Sequence, residues 1–268
     1  MSEDNIRSQI THILFDVDGT LYDKNKEYVS GNGTIMDSHE FFRYGAFMWR
    51  LSGLKLEDAS GMIVAEYQGL AETRKLRSWI DAVPVEIKRL YAGFLQQYGS
   101  NGNVFHHRFG TSKSFLACLL EHIDFGSLLC PDDETISAIS HLKEQYHLGI
   151  ITNETYKTTC AVICASGLSL DDFSLPTGTN YPVFCRETGV AKPNPASFQH
   201  AIDVLSIDPG KCVYVGDSVE KDVLPAKEVG MRPVLIVYGQ DIKERDRYVQ
   251  IGYLSDLERL LKGDPHGY

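Results

Sequence analysis

The sequence predicts an α/β fold, a parallel-sheet core interrupted by an inserted α-helical domain. Three observations predict it. A short apolar run, His12 to Val17, ends in Asp-Gly-Thr, as a buried parallel strand feeding a loop does. From about Glu27 to Phe125 apolar residues recur at helical spacing, and strand-like runs are nearly absent. After Cys130-Pro131 short apolar runs alternate with amphipathic segments, the pattern of right-handed βαβ units.

The elements follow in order. In the insert, FFRYGAFMWRLSGL, MIVAEYQGLAE and VEIKRLYAGFLQQY read as helices of a bundle. Asp133 to His147 is an amphipathic helix with Ile136, Ile139, Leu142 and Tyr146 on one face, started by Pro131-Asp132-Asp133. LGIIT (148–152) is a strand, Tyr156 to Ser166 a helix, and Gly167 suits its C-cap. PVFC (182–185) is a short strand and Pro195 to Leu205 a helix. CVYVGD (212–217) is a strand, Val223 to Val229 a helix and PVLIV (233–237) a strand. The expected division is a discontinuous core, 1–23 with 127–268, and a helical domain, 24–126, joined by two connections that suggest a hinge.

Composition narrows the function. A 268-residue chain that is 43% hydrophobic can bury a sizeable core. A net charge of -10 repels nucleic-acid phosphates, and no dense basic cluster offsets it. Arg74-Lys75-Leu76-Arg77 reads as the solvated side of a helix. No run is apolar enough to span a bilayer, and the polar start MSEDNIRSQITH lacks the pattern of a signal peptide. The expected setting is the cytoplasm, with no nucleic-acid or membrane partner and a monomer or homodimer. The six cysteines form no C-x-x-C pair and read as buried free thiols.

Chemistry-bearing residues cluster at the ends of four expected strands: Asp16-Val17-Asp18-Gly19-Thr20, Thr152-Asn153, Lys192-Pro193, and Gly216-Asp217-Ser218 with Asp222. Ligands of open parallel sheets bind outside the carboxyl ends of the strands, so one crevice can collect all four. The residue types suit phosphoryl transfer. Asp16 and Asp217 can hold a hard cation through oxygen, magnesium by default. Aspartate is a nucleophile type that forms an aspartyl-phosphate. Asp18 can protonate a leaving oxygen and then deprotonate water. Thr20, Thr152, Asn153 and loop N–H groups can donate to phosphate oxygens, while Lys192 supplies fixed positive charge. A calcium loop does not fit D-x-D-G here, because no Glu follows at the required spacing and no helix precedes it.

In this order the clusters resemble the four motifs of the haloacid dehalogenase superfamily of phosphatases: FDVDGTLYD, IITN, AKPNP and VYVGDSVEKD. The resemblance implies a Rossmann-like core with a helical cap inserted after the first motif. It implies Asp16 as nucleophile, Asp18 as general acid/base, Thr152 binding phosphate and Lys192 stabilising it. Magnesium would be held by Asp16, the backbone carbonyl of Asp18, and Asp217. Ser218 and Asp222 belong to the fourth motif, and Asp222 would support the metal or Lys192. Dehalogenase members lack an acid at the position of Asp18, so its presence points to phosphate chemistry.

The expected activity is a magnesium-dependent phosphomonoester hydrolase acting on a small phosphorylated metabolite, such as a sugar phosphate, phosphoglycolate or a nucleoside monophosphate. A phosphomutase, or a catalytically silent phosphate-binding protein, is the alternative on the same motifs. Lys24, Lys26 and Lys55 read as solvated rather than as Schiff-base lysines of phosphonate-cleaving members. Tyr67 and Trp49 read as core, and His106-His107 as part of a polar loop.

Overall fold

The fold is described from a computed structural model, over residues 10–173, 183–184, 190–245 and 248–262. The chain separates into two compact units, Lys24–Cys130 and Met1–Asp23 with Pro131–Tyr268.

The first unit is helical: α1 (Ile35–Leu51), α2 (Leu56–Glu72), α3 (Leu76–Ala82), α4 (Val85–Tyr98), α5 (Asn101–Phe109), α6 (Phe115–Leu120) and α7 (Phe125–Leu128). Helix α1 is fixed at its start by a capping box, in which Thr34 accepts from Asp37 N and the Asp37 carboxylate accepts from Thr34 N. Its apolar stripe buries Phe41, Phe42, Ala46 and Phe47. Phe41 meets Trp79 at a ring separation of 4.7 Å, Phe42 meets Tyr67 at 4.6 Å, and Phe47 meets Tyr91 edge-on at 5.2 Å. Each large side chain so buried stabilises the unit by about 1.5–3 kcal/mol before entropy is counted.

Two expectations are corrected in this unit. His106 and His107 lie inside α5, because Ser100 caps it and the apolar face of Val104 and Phe105 carries the helix through them. His106 Nδ1 bonds Thr111 O, and His107 stacks on Tyr98. Arg74 sits in the turn between α2 and α3 at φ 55, not on a helix. Arg77 is on α3 and exposed, as expected, and its guanidinium also pairs with the buried Asp37 carboxylate at 2.8 Å.

The second unit holds β1 (His12–Phe15), α8 (Asp133–Lys143), β2 (His147–Ile151), α9 (Tyr156–Ala165), β3 (Val183–Phe184), α10 (Ala196–Leu205), β4 (Cys212–Gly216), α11 (Leu224–Glu228), β5 (Arg232–Ile236), β6 (Lys243–Glu244), β7 (Val249–Ile251) and α12 (Leu254–Lys262). Among the described residues these strands form one sheet in the order β3-β2-β1-β4-β5-β7-β6. All neighbours are parallel except the β6–β7 pair. The α/β Rossmann-like expectation therefore holds. Residues 182 and 185 of the expected third strand lie outside the described set.

Side chains alternate across β1. Leu14 joins Phe198, Ala201 and Leu205 of α10 in the core on one face, while Phe15 meets Phe173 edge-on on the other. Helix α8 starts at an Asp132 cap and α9 at a Thr155 cap. Gly167 follows α9 at φ 78, where an added Cβ would also stand 2.8 Å from Pro131 Cβ, so only glycine fits.

Other expectations change. The helix expected at Val223–Val229 is found as α11, Leu224–Glu228, and a π-helical turn at Val219–Val223, not expected from the sequence, leads into it. Strands β6 and β7 and helix α12 extend the sheet beyond the last strand read from sequence. Cys118, Cys130 and Cys164 are free but exposed, and only Cys212 among the described thiols is buried. Cys118 points outward because its neighbours Phe115, Leu116, Ala117, Leu119 and Leu120 fill the inner side of α6. No described helix is long and apolar enough to cross a membrane.

Candidate active site

Strand β1 is flanked by β2 on one side and β4 on the other, with Phe15 in register with both Ile150 and Val215. Sheet growth reverses direction there, so the β1/β4 boundary is the topological switch point where such sheets bind ligands. Asp16 is the first residue beyond β1 and Asp217 the first beyond β4. Asp16 N donates to Val215 O at 2.8 Å, which ties the two strand ends together.

Lys192 organises the centre. Its Nζ lies 2.8 Å from Asp16 Oδ1, 2.6 Å from Asp222 Oδ1 and 2.9 Å from the Tyr214 hydroxyl. An ammonium has three N–H donors, so this set uses all of them. Burial by itself would lower the Lys192 pKa, but Asp16 and Asp222 more than reverse that and hold it above the usual lysine range. The ammonium is thus a permanent charge at neutral pH. Burial pushes the Asp222 carboxyl up, and Lys192 offsets this only in part.

Asp222 is spoken for on both oxygens. Oδ1 accepts from Lys192 and Tyr214, and Oδ2 accepts from Ser218 N at 3.0 Å. Its side chain lies over Gly216, where an added Cβ would come within 2.4 Å of Asp222 Cβ. The glycine of Gly-Asp-Ser is therefore a packing requirement. Ser218 Oγ accepts from Lys221 N and starts the turn that delivers Asp222.

Carboxylate oxygens of Asp16, Asp217 and Asp222 lie within 4.8 Å of one another. Such an all-oxygen donor set fits a hard divalent cation. Since Asp222 is committed to Lys192, Tyr214 and Ser218, Asp16 and Asp217 are the carboxylates suited to hold one.

The remaining expected residues surround this centre. Thr152 is buried at the end of β2, with Oγ1 accepting from Glu154 N at 3.2 Å. Asn153 clamps the Lys192 backbone from both sides: Nδ2 donates to Lys192 O at 2.9 Å and Oδ1 accepts from Lys192 N at 2.8 Å. Thr20 is fully buried, and its Oγ1 has no hydrogen-bond partner among the described residues. Asp18 is half-buried and accepts through Oδ1 from the Tyr22 hydroxyl.

Three tyrosines escaped the sequence reading. Tyr214 OH reaches Ile151 O at 2.9 Å and lies against Lys192 and Asp222. Tyr238 OH donates to Thr20 O at 2.8 Å. Burial, reinforced by Asp18, pushes the Tyr22 phenol well above the usual tyrosine range, so it stays a donor. A signal existed for Tyr214: a hydroxyl inside the apolar strand CVYVG must find a partner once buried.

Fold and site together define an α/β enzyme whose carboxylate–lysine centre stands at the switch point of a parallel sheet. The chain belongs to the haloacid dehalogenase-like hydrolase family, which matches residues 10–230. It is 27% identical over 254 residues to a glyceraldehyde 3-phosphate phosphatase of Methanopyrus kandleri, covering 88% of this chain and 89% of that one. It is 32% identical over 126 residues to a glyceraldehyde 3-phosphate phosphatase of Pyrococcus furiosus, a match that spans about half of each protein (45% and 48%). The solved HAD phosphatase from Thermococcus onnurineus shares the fold, with a TM-score of 0.57 at 24% identity over 95% of this chain and 99% of that one.

Proposed function

We propose that the protein is a magnesium-dependent phosphomonoester hydrolase working through an aspartyl-phosphate on Asp16. The observation that carries this reading is the buried Lys192 ammonium, 2.8 Å from the Asp16 carboxylate at the switch point. A charge held there without reorganisation stabilises the anionic transition state of a phosphoryl group arriving at Asp16.

In this reading an Asp16 oxygen bonds to phosphorus as the ester P–O bond breaks, and Asp18 gives its proton to the leaving oxygen. Asp18 then takes a proton from the water that attacks phosphorus, and the Asp16–phosphate bond breaks to release inorganic phosphate. Thr152 and backbone N–H groups after β1 and β2 hold the phosphate oxygens. Asn153 acts through its clamp on Lys192, and Asp222 and Ser218 keep that lysine in place. The residues present would hold magnesium through Asp16, Asp217 and the carbonyl of Asp18, where it would offset the repulsion between a carboxylate and an anionic phosphate.

The substrate class we favour is a small phosphorylated metabolite of the triose phosphate kind, on the strength of the names of the relatives. The helical unit, Lys24–Cys130, is then the inserted cap that the family resemblance implies. A net charge of -10 fits a small-molecule substrate better than nucleic acid.

The test is release of inorganic phosphate from 4-nitrophenyl phosphate and from glyceraldehyde 3-phosphate, with and without magnesium. Asp16→Asn should abolish release from both. Undiminished turnover in that variant would remove Asp16 as the nucleophile.

A further inference from the structure

The Asp18 side chain is not among the groups that Lys192 binds; the Tyr22 hydroxyl meets it instead. Tyr22 is buried and donates its hydroxyl to Asp18 Oδ1. The loop between them leaves that contact little freedom. Thr20 N and Leu21 N both donate to Val17 O, at 3.1 and 3.0 Å. Gly19 takes the left-handed conformation at φ 77 that the turn needs. Asp18 and Tyr22 are joined by an isolated parallel bridge. Tyr238 holds the loop from outside through Thr20 O. Both the ring and the backbone carrying it are therefore fixed.

The geometry points to Tyr22 as a positioning residue that dictates which oxygen of Asp18 carries the transferable proton. The inference rests on the hydrolase reading above. A phenol O–H aimed at Oδ1 makes that oxygen an acceptor, so the proton of a neutral Asp18 resides on Oδ2. As the ester P–O bond breaks, the proton passes from Oδ2 to the leaving oxygen, and Tyr22 stays on Oδ1 of the resulting carboxylate. In the second half, the proton of the attacking water returns to Oδ2. Without the phenol, the carboxyl can turn and place its proton on either oxygen, and a fraction of encounters find it misaligned.

The experiment compares Tyr22→Phe with the native protein on two esters. An alkyl phosphate has a poor leaving group and needs the proton; 4-nitrophenyl phosphate has a good one and needs it far less. The quantity read is kcat/KM, which reports formation of the phospho-enzyme. Positioned acid catalysis contributes about 10²–10⁴-fold, so losing its alignment should lower kcat/KM for the alkyl ester about 10-fold more than for the aryl ester. In an Asp18→Asn background the same change should add nothing to that ratio. A purely structural role lowers both esters equally, and that result, or no change on either, would overturn the assignment. A native enzyme that turns over neither ester, or an active Asp16→Asn, sinks the underlying hydrolase reading instead.

Discussion

Asp222→Asn isolates the charge that steadies Lys192. The substitution keeps shape and removes one negative charge from a pair in which Asp222 is 1% and Lys192 5% exposed. Whichever way the new amide turns, its NH2 faces either the Lys192 ammonium or the Ser218 backbone N–H, because those groups approach opposite oxygens at 2.6 and 3.0 Å. Breaking a buried ion pair costs about 3–5 kcal/mol, and asparagine retains one acceptor, so the expected loss is about 3 kcal/mol. For a unit of this size that lowers the unfolding midpoint by about 6–12 °C.

The assay is urea unfolding of four proteins: native, Asp222→Asn, Lys192→Met and the double variant. Lys192→Met alone leaves Asp16 and Asp222 buried without their counter-charge, so the double variant should lose less than the sum of the singles, by about 2 kcal/mol. Additive losses, or an Asp222→Asn within about 0.5 kcal/mol of native, would refute the claim that this charge pair holds the centre together.

Two further outcomes follow from the geometry, beside those attached to Asp16 and Tyr22. Gly216→Ala would force a methyl to within 2.4 Å of Asp222 Cβ; it should cost about 2–3 kcal/mol and at least about 10-fold in kcat, by moving Asp222 off Lys192, measured by unfolding and phosphate release. His12, between Thr11 and His147, has its pKa lowered from the usual 6.5 to about 4 by burial and by His147. The unfolded chain then binds the proton more readily, so His12 costs nothing above its unfolded pKa and costs stability as pH falls toward 4. Discounted for partial exposure, His12→Gln should lose about 1 kcal/mol less than native between pH 7 and pH 5, as read from urea midpoints at the two pH values.

Some parts of the molecule were out of reach of a linear reading. Helix α12 carries Leu254 and Leu257 on one buried face; the periodicity and the Gly263 and Pro265 stop signals are present in the sequence, but the segment is only nine residues long. Strands β6 and β7 are so short that alternation cannot declare them. Cys118 shows the reverse error: apolar neighbours in sequence do not bury a residue when the helix turns it outward.

The sequence by itself determined the parallel core, the helical insert and the strand-end positions of Asp16, Thr152 and Asp217. Buried strands require unbroken apolar runs, and the polar residues that end those runs must emerge at the carboxyl edge. Only the tertiary structure decided how the clusters are wired. It assigned Asp222 to Lys192, Tyr214 and Ser218, turned Asn153 onto the Lys192 backbone, and set Tyr22 on Asp18. These choices depend on distances of a few ångströms between segments far apart in the chain, and burial makes each decisive: a polar group removed from water must be met by whichever partner the fold brings to it.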